Sequence, residues 1–164
     1  MKRWYERDYE KSGERFGEVF ATVLILIVTL YFIYSQLLKT GFFTSSFGSV
    51  EMFLFYAPVP LGIGVNIIRL ATGRRNSARP LETLDAISIA VAGLWLSVVF
   101  PFNFSHLADL LSTPLQFLLS WIPNYLGRAI VLIAGLGGLF NSVYTPVVYV
   151  SVRREYARHG SPAT

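Results

Sequence analysis

Cysteine is absent from the 164 residues. That excludes a disulfide framework, a thiolate nucleophile, a zinc knuckle and an iron–sulfur site. Charge is scarce: 15% of the residues are charged, against about 25% in an ordinary soluble domain. A long polar stretch is also missing. The most extended one is the first fifteen or so residues, which leaves no room for a soluble domain. No cleavable signal peptide is expected. The segment before the first apolar run is too long and too acidic for an n-region, and the run itself is longer than an h-region.

What the chain has instead is apolar length. Hydrophobic residues make up 53% of it, gathered into runs that reach the roughly 20 residues a helix needs to cross a bilayer. The pattern predicts an all-α, integral membrane four-helix bundle, a single membrane domain over residues 1–164. The first span is read at 19–38, a stretch with no charge, Pro or Gly. The second is read at 52–71. Pro58, Pro60, Gly62 and Gly64 crowd its first half and predict a kink or a short unwound stretch, because each proline removes a backbone donor. The third is read at 84–104, entered through Pro80, with Glu82 and Asp85 in its first turn where the helix dipole favours negative charge. The fourth is read at 129–152.

Between the third and fourth spans, residues 105–123 carry Leu107, Leu110, Leu111, Leu115, Leu118, Leu119 and Ile122 at helical spacing, with polar residues between them. This predicts an amphipathic helix in the extracytoplasmic interface; a re-entrant hairpin is the alternative. Thr113-Pro114 resembles an N-cap followed by Pro at N1. Phe42, Phe43 and Phe47, in the loop after the first span, also suit an interfacial depth.

Charge sets the orientation. Lys2, Arg3, Arg7, Lys11, Arg15, Arg69, Arg74, Arg75, Arg79, Arg153, Arg154 and Arg158 fall on one side of the four spans. Lys39 and Arg128 fall on the other. The positive-inside rule then places both termini in the cytoplasm, with residues 1–18 as an amphipathic segment and 153–164 as a tail. The membrane is expected to be the plasma membrane of a prokaryote or an organelle membrane. The same rule explains the net charge of +4, so no nucleic-acid partner is expected. In the N-terminal segment, Arg3/Glu6, Arg7/Glu10, Lys11/Glu14 and Arg15/Glu18 are spaced to pair along a helix lying on the membrane. A docking handle for another subunit is the sharper reading of that segment.

Candidate functional residues form two groups. The first is a set of helix-packing or pathway positions. Ala86, Ala90, Gly93 and Ser97 make a small-residue stripe on the third span; Ala134, Gly138, Asn141 and Thr145 make one on the fourth. Small residues let helices approach closely in lipid, so these faces are expected to meet each other or a neighbouring subunit; a pore lining is the alternative. Asn66, Asn141 and Thr145 are the deepest polar groups, and Pro146 frees a carbonyl near Ser142. Joined to the broken stretch at Pro58 and Pro60, they would form a substrate or ion site of the kind seen in transporters. The bland alternative is a hydrogen-bonded structural cluster.

The second group is ionisable: Arg69, Glu82, Asp85 and Arg128, read as lipid-headgroup contacts or ion pairs, with Arg69 expected to pair with Glu82 or Asp85. All four are placed near span ends, so a buried carboxylate relay or a voltage sensor is not expected. His106 and Asp109, spaced i, i+3, supply too few ligands for zinc, which takes three or four. No metal, cofactor or catalytic residue is expected. The expected partners are membrane lipids and other membrane subunits. The chain reads as a non-enzymatic structural or accessory subunit of a larger membrane complex. An oligomeric channel or transporter comes second, and a lipid-directed enzyme last.

Overall fold

A computed structural model describes the backbone of residues 12–159 and the side chains of 16–158. The expected pairs among residues 3–15 therefore lie outside the described side chains. The described chain is all-helical: α1 (Ser12–Leu37), α2 (Ser49–Tyr56), α3 (Pro58–Thr72), α4 (Arg75–Val99) and α5 (Asn124–His159), with two short 3-10 turns at Phe104–His106 and Thr113–Leu118. Four stretches are long and apolar enough to cross a membrane, with α2 and α3 counting as one. They point to a multi-pass helical membrane protein.

Several boundaries differ from the sequence reading, each for a local reason. The second span is not unwound. Ala57, between α2 and α3, keeps helical dihedrals (φ −58, ψ −37), so the break is confined to the hydrogen bonds that Pro58 and Pro60 cannot donate. The third helix starts at Arg75 rather than Leu84 and carries Pro80 inside it. Pro80 is its sixth residue, so only the bond to the Asn76 carbonyl is lost, close to the helix end. Glu82 and Asp85 consequently sit two to three turns inside the helix, not in its first turn. The helix stops at Val99 because Phe100 turns left-handed (φ 42), which leaves Pro101 and Asn103 outside it.

Residues 105–123 form no continuous helix. Ser112, not Thr113, precedes the second 3-10 turn, and Pro114 lies within it. Leu107 and Ala108 are buried, whereas Leu115, Phe117 and Leu118 are exposed. The apolar residues of this segment are therefore divided between the protein core and the outside instead of lining one face. The last helix runs past the expected 129–152 at both ends.

Packing is layered. The most extensive contact is α4 on α5; α3 packs on α4, and α1 on α3. The bundle has two unlike ends. At the basic end lie Arg69, Arg75 and Arg79. At the aromatic end, the loop after α1 and the segment after α4 close on one another. An isolated antiparallel bridge joins Phe43 and Phe102, and the Asn103 N–H donates to the Phe42 carbonyl at 2.7 Å. Phe42 is 2% exposed and stacks on Phe102 at 5.4 Å. Phe32, Phe43, Phe47 and Phe55 surround that pair. The expectation that Phe42 is an interfacial side chain is therefore corrected: it is the centre of a protein core. A phenylalanine fully buried in this way is among the larger single contributions to a core, about 2–3 kcal/mol.

Candidate functional site

The ionisable residues at the basic end are brought together by three helices. Arg69 lies in the last turn of α3, where the helix dipole favours a cation. Its guanidinium reaches Glu18 of α1 at 2.9 Å and Glu82 of α4 at 3.0 Å. One cation thus ties three helices through two carboxylates. The partner Glu82 was anticipated; Glu18 was assigned instead to a local pair with Arg15. Asp85 does not join the pair. It faces α3 at Gly62, where an added Cβ would lie 3.7 Å from its Oδ2. Its Oδ1 is buried and has no hydrogen-bond partner among the described residues.

One turn deeper, Asn66 is buried and donates through Nδ2 to Thr22 Oγ1 at 2.9 Å. Thr22 in turn donates to the Glu18 carbonyl at 2.8 Å. Asn66 therefore belongs to the α1–α3 contact. Asn141 and Thr145 lie elsewhere: with Tyr144 they form the α5 wall of a cavity of about 300 Å³ whose other wall carries Arg69, Arg75, Arg79 and Glu82. The three deep polar residues are split between two places. Neither Pro58 nor Pro60 lines the cavity, so a single site uniting the proline break with both asparagines is not formed. Pro146 stays within α5, and the Ser142 hydroxyl donates to the Leu139 carbonyl at 2.7 Å.

The small-residue stripe of α4 meets α5 directly. Ala86, Ala90, Gly93 and Ser97 are all buried. A Cβ on Gly93 would stand 2.5 Å from the Gly135 backbone; one on Gly138 would stand 2.6 Å from the Ala90 nitrogen. The α5 side of the seam passes through Gly135, not Ala134, which is exposed. The expected stripe steps by four, three and four from Ala134, and two of its members, Ala134 and Asn141, are exposed. A helix turn of 3.6 residues puts Gly135, Gly138, Thr145, Val148 and Val152 on the buried side instead.

At the aromatic end Arg128 forms no ion pair among the described residues and is not directed at solvent alone. Its Nε donates to the Ser97 carbonyl at 2.7 Å and its Nη2 to the Val98 carbonyl at 3.1 Å. Its guanidinium also lies 5.8 Å from the centroid of the Phe100 ring. The last carbonyls of a helix have no intrahelical donor, and Arg128 supplies two charged ones to α4. Trp95 donates to Glu51 at 3.1 Å, and the other Glu51 oxygen caps α2 through the Gly48 N–H at 3.0 Å. Tyr31 donates to the Leu107 carbonyl. His106 and Asp109 are in contact at 2.8 Å, both half exposed. Among the described residues, no three His, Asp or Glu side chains gather as metal ligands.

The basic-end cavity is the arrangement with the clearest chemical capacity. Three guanidiniums, an amide and two hydroxyls converge on it with one carboxylate. Donors of these kinds suit oxygen acceptors, and Arg69 already directs its own at Glu18 and Glu82. The chain matches no family model, and no curated protein or solved structure matches it significantly.

Proposed function

We propose that this protein is a non-enzymatic, multi-pass membrane subunit that supports a larger membrane assembly, with both termini on the cytoplasmic side. The observation that carries the reading is the state of α1. It is tethered at its basic end by Glu18–Arg69 and Thr22–Asn66, and near its other end by Tyr31 and Phe32. None of its 18-residue apolar window is buried within the chain. Val23, Leu24, Ile27 and Leu30 are all open. A helix pinned at its ends and uncovered in its middle offers a long apolar face for close packing by a helix of another subunit.

The test is purification in mild detergent followed by native mass spectrometry. Stoichiometric co-isolation with another membrane chain, lost on Ile27→Trp, is the expected result. A chain that runs alone, or whose association ignores Ile27→Trp, overturns the reading.

A second reading, an oligomeric channel or transporter, draws on Asn141 and Thr145 facing the cavity. Within one chain, the α4–α5 seam beyond that cavity is closed by backbone contact at Gly138 and Gly93. A path would therefore have to run between copies. Loss of flux in liposomes carrying Asn141→Leu would favour this reading.

A further inference from the structure

The loop that follows α1 lines a pocket of about 390 Å³ at the aromatic end. Lys39, Gly41, Phe43 and Ser45 are in its wall, and no carboxylate is. The Phe42 carbonyl accepts from the Asn103 N–H, and the Thr44 N–H donates to the Pro101 carbonyl. Phe43 lies between them and faces Phe102 across the bridge. It is therefore in a non-hydrogen-bonded pair, and its N–H turns away from residues 101–103. The N–H groups of Gly41, Phe43 and Ser45, the Ser45 hydroxyl and the Lys39 ammonium donate to nothing among the described residues. The carboxylates of this end are engaged elsewhere: Glu51 with Trp95 and the Gly48 N–H, Asp109 with His106. The dipole of α1 favours a cation just past its end, at Lys39, but leaves the backbone donors beside it unexplained.

Next to the pocket lies an apolar groove between α1 and the α2–α3 stretch, lined by Leu24, Val28, Phe32, Phe55, Tyr56 and Val59. Two contacts join the walls. Gln36 of the pocket accepts from the Tyr56 hydroxyl at 3.1 Å. The Phe43 ring packs edge-on against Phe32 at 6.3 Å and Phe55 at 5.7 Å. Thr29, which also lines the groove, donates its hydroxyl to the Ile25 carbonyl at 2.7 Å.

We infer that these two surfaces hold one anionic phospholipid from the leaflet at the aromatic end. Its phosphate sits in the pocket, and an acyl chain runs along the groove. Charge and length both select this occupant. An ammonium and unpartnered N–H and O–H donors on one wall suit an oxyanion, whose contacts with a charged donor are the stronger kind of hydrogen bond. The ammonium of a zwitterionic headgroup would find no carboxylate in the lining, so a net-anionic headgroup is favoured. From position 36 to position 24, α1 covers about 18 Å at the helical rise. That is slightly more than half of a roughly 30 Å hydrocarbon core, the depth of one leaflet. A free phosphate would use the pocket and leave the groove empty. The inference does not depend on the accessory-subunit reading: Ile27, the position that tests that reading, is outside the groove lining.

The experiment uses the full chain in neutral detergent, offered phosphatidylglycerol, phosphatidylcholine or inorganic phosphate. Retained lipid is read by native mass spectrometry, and thermal unfolding is followed in parallel. Phosphatidylglycerol is expected to be retained at one copy per chain in preference to phosphatidylcholine, and to stabilise the chain more than inorganic phosphate does. Lys39→Gln should lower its retention roughly tenfold, as expected when a charged donor to phosphate is lost. Lys39→Arg should keep most of it. Lys39 is exposed, so both variants should unfold like the parent chain when no lipid is present. Val28→Trp fills the groove from a position that is 45% exposed, so it tests the acyl contact without disturbing the core. It too should lower retention of phosphatidylglycerol. Arg154→Gln, at the basic end, is the control and should leave retention unchanged. Equal retention of both lipids, equal stabilisation by inorganic phosphate, or insensitivity to Lys39→Gln or to Val28→Trp would each overturn the inference. Failure here would leave the Ile27→Trp result standing, so the two readings fail separately.

Discussion

Gly93 of α4 and Gly135 of α5 meet backbone to backbone: a methyl group on Gly93 would lie 2.5 Å from both the nitrogen and the Cα of Gly135. No rotamer change can relieve such a contact, because the obstructing atoms are main chain. The most extensive helix–helix contact of the bundle therefore rests on positions where only hydrogen fits.

Gly93→Ala and Gly135→Ala should each destabilise the bundle by about 1–3 kcal/mol, the usual cost of forced overpacking, with Gly138→Leu at least as damaging. Gly137 is the internal control, since a Cβ there meets nothing within 4 Å. Gly137→Ala should be neutral or slightly stabilising through helix propensity. Thermal unfolding in one detergent, followed by circular dichroism, checks all four. Equal stability of the Gly93 and Gly137 variants would contradict the close approach.

Arg128 terminates α4 from the start of α5, so its loss should fray the end of a different helix. Arg128→Gln removes both charged donors to Ser97 and Val98 and should cost about 1.5–3 kcal/mol. Arg128→Lys should recover only part of this, because an ammonium cannot present the same fork. Hydrogen exchange would localise the effect to residues 97–100. Protection unchanged there would show that the two carbonyls are satisfied by other donors.

Arg69 holds two carboxylates, so the three partners should not contribute equally. Arg69→Leu leaves Glu18 and Glu82 together without their cation and should cost about 3–5 kcal/mol. Glu18→Gln should cost less, because Glu82 remains on the guanidinium. Adding Glu18→Gln and Glu82→Gln to Arg69→Leu should restore stability relative to Arg69→Leu alone. Additive losses in the unfolding measurements would deny the coupling.

Asn66 and Thr22 offer a clean double-mutant cycle, with Asn66→Leu and Thr22→Val as the single changes. Hydrogen bonds between membrane helices couple by about 0.6 kcal/mol on average and by no more than about 1.7. A coupling of that order is expected, together with loosening of α1 from α3. A coupling of zero would mean that the two side chains stabilise the bundle independently.

Because the chain contains no cysteine, single substitutions report orientation directly. Ser77→Cys lies at the basic end and Ser112→Cys beyond the aromatic end, both at exposed positions. In sealed right-side-out vesicles, a membrane-impermeant maleimide should label Ser112→Cys and spare Ser77→Cys until the vesicles are opened. The reverse pattern would invert the orientation proposed for the termini.

Much of the helix inventory was legible in the linear order of residues. Four apolar runs of spanning length gave four helical stretches, because hydrogen-bonding its own backbone is the simplest solution open to such a run. The ends of those helices were less legible. Pro80 looked like a start and lies inside α4, since a proline near a helix end costs a single bond. Asn103 and Pro101 looked like part of the third span, but the left-handed turn at Phe100 ends the helix earlier. The amphipathic spacing after residue 105 looked like one helix; tertiary contacts took Leu107 and Ala108 into the core and left Phe117 outside.

Residue types and spacing, then, determined that this chain is helical, apolar over four stretches, free of cysteine chemistry and strongly asymmetric in basic charge. Those properties follow from local backbone energetics and composition. Only the tertiary structure decided that Arg69 clasps Glu18 and Glu82, that Gly135 rather than Ala134 meets Gly93, that Arg128 closes α4, and that Asn66 and Asn141 go to different places. Each of these depends on how helices far apart in sequence rotate and slide against one another. That choice is made by close packing and by the need to partner buried polar groups, and no single helix carries it alone.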